Sequence, residues 1–135
     1  MNEIREISNQ VKLYGSIISA PSSLLHVFDS PQGDGTPYIK IEKDLYKYII
    51  EERGMTFEVR ATDQCETLLY WLMRDVISTM ASAFELSHRL PNADSRRLSF
   101  LHQIDLMRMI KTEWAEMRAE EINEILKQTP YVDEI

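Results

Sequence analysis

The chain has 135 residues, 44% of them hydrophobic and 27% charged, which is the size and composition of one folded domain spanning residues 1–135. Its 22 acids against 15 bases leave a net charge of −7, which disfavours nucleic acid as a partner because phosphates require a basic surface. The single cysteine, Cys65, excludes an intramolecular disulfide, no stretch is long and apolar enough to span a bilayer, and the acid-bearing start MNEIREISNQ is no secretory signal. These features point to a cytoplasmic protein that does not insert in a membrane.

In chain order, Asn2 to Ser19 predicts a helix, with Ile4, Ile7, Val11, Tyr14 and Ile18 on one stripe and Gly15 weakening its end. Leu24 to Phe28 is apolar enough for a short strand, and Ser30 to Pro37 is a turn-forming loop with two glycines and two prolines. Tyr38–Glu42 alternates, and Leu45–Glu51 and Met55–Ala61 form a hairpin whose turn uses Gly54 for a positive φ. Three or four antiparallel strands result, with one apolar and one wet face.

Cys65 to Leu90 is the longest helical pattern. Leu68, Leu72, Val76, Met80 and Ala83 form one apolar stripe, and Tyr70, Met73, Ile77 and Phe84 a second, so this central helix is buried on two sides. Asp63 suits its N-cap, and Pro91 ends it. Asp94 suits the cap of a following helix whose inward residues are Phe100, Leu101, Ile104, Met107 and Ile110. Thr112 suits the cap of a last helix that buries Trp114, Met117, Ile122, Ile125 and Leu126 and stops at Thr129-Pro130. The fold class is therefore α+β: an N-terminal helix, a three- to four-stranded antiparallel meander, then three C-terminal helices led by a long buried one.

Candidate chemistry is sparse. His26, Cys65, His88 and His102 share no short zinc-type spacing. Glu85 and His88 lie three apart, but a di-iron bundle needs that pair twice with further glutamates, so a helix-surface hydrogen bond is the better reading. No GxSxG elbow or Walker loop occurs, and Cys65 lacks an adjacent base and reads as a small packed hydrophobe. No catalytic residue, metal site or cofactor site is assigned. Arg74, Asp75, Glu85 and Arg89 lie on a mostly buried helix and are expected to form ion pairs with one another or with the next helix.

The acids concentrate at the C-terminal end, where Glu113 to Ile135 carries seven acids against two bases. Beside a core tryptophan, Trp114, the row Glu113, Glu116, Glu120, Glu121 and Glu124 is free to face a partner and to steer a basic protein onto this surface. Two further readings stand beside this one: a non-enzymatic scaffold or homodimer whose seven methionines serve adaptable interfaces, and a metal-dependent enzyme using Glu85 and His88.

The pieces LLYW (Leu68–Trp71), MASAFELSHR (Met80–Arg89), DSRR (Asp94–Arg97), Phe100 with Gln103, Trp114 and the closing PYVD (Pro130–Asp133) resemble the bacterial immunity protein 63 family, over about half of the chain. The resemblance implies a cytoplasmic antitoxin that binds a cognate polymorphic toxin domain and blocks it, with no catalytic residues to carry over; monomer and homodimer both stay open. It also implies a toxin basic at its active-site groove, since many such toxins act on nucleic acid. Whether Arg89, Asp94, Arg96 and Arg97 hold the fold or touch the toxin stays open at this point.

Overall fold

A computed structural model describes residues 2–134. Helix α1 (Ile4–Ile17) is followed by a 3₁₀ turn (Ser22–Leu24), then strands β1 (Tyr38–Glu42), β2 (Leu45–Glu52) and β3 (Met55–Thr62). Helices α2 (Cys65–Ser87), α3 (Ser95–Ile110) and α4 (Thr112–Gln128) complete the α+β order. The chain divides into two compact units, residues 1–74 and 75–135, and the division falls within α2.

In the first unit, α1 buries Ile7, Val11 and Tyr14, the stripe its 3.6-residue period dictates. Gly15 does not stop the helix. A Cβ there would lie 2.5 Å from the Leu25 methyls, so glycine makes room for a buried leucine. The expected strand at Leu24–Phe28 is absent: Leu25 closes the 3₁₀ turn onto Ser22, and Phe28 makes only an isolated bridge to Tyr38. The sheet has order β1-β2-β3, all antiparallel. Both hairpin turns have two residues with positive φ, Lys43-Asp44 and Arg53-Gly54, the mark of the type I′ turns that match strand twist.

β3 turns its large apolar residues away from the covered face of the sheet. Register pairs Ile49 with Val59 and Lys47 with Ala61, so these share one face, while Tyr48 pairs with Arg60 on the other. The second face buries Ile39, Tyr46 and Tyr48, and Tyr48 meets Trp71 of α2 edge-on at 6.1 Å. β3 sends Glu58 and Arg60 to that side, where they pair at 2.7 Å and Arg60 lies over the Trp71 ring. Phe57 and Val59 consequently face outward, 64% and 55% exposed. A bulge between Ile50 and Glu51 sits at the turn end of this pairing. Gln64 directly precedes α2, and Asp63, the expected cap, accepts from the Gln64 side-chain amide.

In the second unit, α2 ends at Ser87, four residues before Pro91. Asp94 caps α3, accepting from the Arg96 amide at 2.9 Å. Thr112 is the first residue of α4 rather than its cap, a position held by Lys111. Three inward assignments on α3 and α4 fail. Leu101 is 58% exposed while Leu106 is buried, and Met117 and Ile125 are exposed while Ala115 and Arg118 are buried. The inner face of each helix is set by what packs there, and a buried arginine has no apolar signature.

Candidate partner-binding surfaces

The orientation of α4 decides what its glutamates can do. Trp114, Ala115 and Ile122 anchor its inner face together with Arg118. The Arg118 guanidinium donates to Gln103 Oε1 of α3 at 2.8 Å and to Glu121 Oε1 at 3.0 Å, and Gln103 is itself buried. A buried cation needs such partners, and its directional bonds set the register of α4 against α3. With that register, Glu113, Glu116, Glu120 and Glu124 fall within one exposed arc of the helix, at 100° per residue. Glu121 does not join them: it sits at the margin, bound to Arg118, and Glu124 is paired with Lys127 at 2.8 Å. The arc continues into a shallow depression lined by Glu120, Asn123, Glu124, Leu126 and Lys127. Glu116, Glu120 and Glu124 are spaced i,i+4, so each like-charged neighbour pair costs the helix about 0.2–0.5 kcal/mol.

The DSRR and PYVD pieces form one assembly. Asp94 Oδ2 accepts from the Val132 amide at 3.0 Å and Asp133 Oδ1 from the Asp94 amide at 2.8 Å. Arg96 donates to the carbonyls of Thr129 and Pro130, both at 2.9 Å, and Arg97 grips both oxygens of Asp133. Both guanidiniums lie over the Tyr131 ring, at 5.5 and 4.2 Å. These residues hold the C-terminal segment, and Arg89 separately makes a two-pronged pair with the buried Glu85 carboxylate. Arg74 lies over the Tyr70 ring.

Hydrogen bonds from Arg96 and from the Val132 amide hold the Asp94 carboxyl far below its ordinary value, and Arg97 lowers Asp133. Because both folded values are depressed, their contribution is complete above the ordinary carboxylate range and is lost as pH falls through the lowered values. Amide exchange at Val132 and Glu134 should therefore stay slow down to the ordinary aspartate value of 3.8 and rise only well below it. Arg96→Ala should bring exchange there toward the rate of an unstructured chain at every pH. Slow exchange in that variant would remove the clamp from the account.

The residues weighed for metal chemistry are engaged otherwise. His88 stacks on Phe84, which stacks on His102 in turn, and His88 Nδ1 lies 3.0 Å from the Phe84 carbonyl. Cys65 Sγ accepts from the Asn2 side-chain amide at 3.1 Å. Among the described residues no group of three or more His, Cys, Asp or Glu is placed to hold a metal ion, and no helix is long and apolar enough to cross a membrane.

The chain thus presents a small α+β protein whose distinctive groups are surfaces: an acidic helix face and an outward apolar stretch of sheet. The family model of Immunity protein 63 matches residues 43–124, more than half of the chain, and the protein belongs to that family. The match takes in β2, β3, α2, α3 and the whole acid row, and leaves PYVD outside it. No curated protein and no solved structure matches the chain. Membership makes it an immunity protein, of a class that binds toxins and is generally non-enzymatic.

Proposed function

We propose that this protein is a cytoplasmic antitoxin, without catalytic activity of its own, that neutralises a cognate polymorphic toxin by covering its active site. The observation that carries the reading is the exposed arc of Glu113, Glu116, Glu120 and Glu124 within the matched family region. Glu113, Glu116 and Glu120 form no ion pair among the described residues, so their charge is available to a basic groove, where carboxylates stand in for phosphates. Glu121 contributes through Arg118, by fixing the helix that presents the others. Residues 1–135 act in this reading as one domain.

Co-expression with the toxin domain encoded next to it is the direct test. Cells carrying the toxin should survive only with this protein, and the two should co-purify as a complex that inhibits the toxin in vitro. A purified pair that binds while the toxin stays active would overturn occlusion, and failure to bind at all would overturn the toxin as partner.

The outward placement of Phe57 and Val59 favours a second kind of contact, because large apolar side chains left on a sheet surface mark interaction sites.

A further inference from the structure

Among the described residues β3 is an edge strand, paired with β2 on one side only. An edge strand presents a row of unpaired backbone donors and acceptors, and proteins usually blunt it with proline, lysine or a bulge. Met55–Thr62 contains neither proline nor lysine. Its bulge falls at Phe57, left without a partner on β2 between Thr56 and Glu58, and Glu58 to Thr62 keeps unbroken register with β2. Phe57 and Val59 add an exposed apolar surface beside that edge.

We propose that β3 pairs antiparallel with β3 of a second copy of this chain, joining two three-stranded sheets into one of six across a two-fold axis at Val59. The sequence of the strand is what selects a second copy over a foreign strand. About Val59 it is complementary to its own reverse: Glu58 falls opposite the second copy's Arg60, and bulky Phe57, at the bulge, falls opposite small Ala61. Opposite charges are a favourable cross-strand pair, and the small Ala61 leaves room for the Phe57 ring. Glu58 and Arg60 are each about one-third exposed on the same side of β3, so both are accessible across the axis. The outward face gains continuity as well, with the two Val59 side chains adjacent and each Phe57 covered from the side. This assembly uses residues of the first unit and none of the acid row of α4, so it stands or falls apart from the toxin reading.

Sedimentation velocity over a concentration series tests it. The native protein should sediment at twice its 15.8 kDa chain mass. Glu58→Arg places arginine opposite arginine in the homodimer, and Arg60→Glu places glutamate opposite glutamate. Each variant alone should dissociate about tenfold more readily or worse. Mixed together, the two variants restore both opposite-charge pairs and should form a heterodimer as tight as the native one. Arg60 also covers Trp71, so Val59→Lys, on the outer face and away from that contact, serves as a second probe that sets lysine against lysine at the axis. A monomeric native protein at every concentration would overturn the proposal. So would a dimer indifferent to Val59→Lys, or charge variants that associate no better mixed than alone.

Discussion

Replacing Glu113, Glu116 and Glu120 together with lysine is expected to slow association with the cognate toxin by about tenfold or more, measured by stopped-flow mixing at low salt. The three side chains are solvent-exposed and form no ion pair among the described residues, so their removal leaves the packing of α4 intact. Their field reaches a basic partner before contact, and the effect should therefore fall on the association rate and shrink as salt is added. The native complex should show a steep salt dependence and the triple variant a flat one. A single change sharpens the point. Glu120→Lys relieves two like-charge i,i+4 contacts and sets an ammonium one helical turn beyond Glu116, a favourable arrangement. The free protein should then melt slightly higher while binding more slowly. An unchanged association rate in the triple variant would remove the acid face from the binding surface.

The second large effect is on stability. Arg118→Ala should destabilise the protein by about 2–3 kcal/mol, a fall in melting temperature of roughly 10 °C. The alanine leaves Gln103, 4% exposed, without its charged donor, and leaves space where the buried arginine stem stood. Changing both partners to apolar residues of similar length, Gln103→Leu with Arg118→Met, should restore most of the loss, because no buried polar group is then left unpaired. Glu121, partly exposed, can exchange Arg118 for water at little cost. A double variant as unstable as the single one would show that Arg118 acts through something other than this pair. The same melts test the chain as one domain: residues 1–135 should unfold in a single transition, and two separated transitions would mark two independently folding units.

Much of the architecture was legible in the residue pattern. Four helices and a meander follow from periodicity, and the α1 stripe of Ile7, Val11, Tyr14 and Ile18 is buried as the spacing requires. Asp94 was readable as a cap because a short carboxylate before a helical run has little else to do. The acid row was readable as a row, although which of its members point outward was not.

What a linear pattern could not carry was every choice that depends on a partner distant in the chain. Gly15 reads as a helix weakener until Leu25 arrives beside it. Nothing in the spacing marks Arg118 as buried until Gln103 supplies an acceptor inside, and the second bond of its guanidinium, to Glu121, sets that glutamate apart from the others. Phe57 and Val59 alternate with polar neighbours, and alternation identifies two faces without saying which one is covered. That assignment fell to strand register and to the pull of Trp71 on Arg60. Local spacing reflects backbone geometry, which each residue carries with it, and it dictates the elements of this protein. Which face of each element meets water is an energy shared between residues far apart in sequence, and only the folded chain brings them within reach.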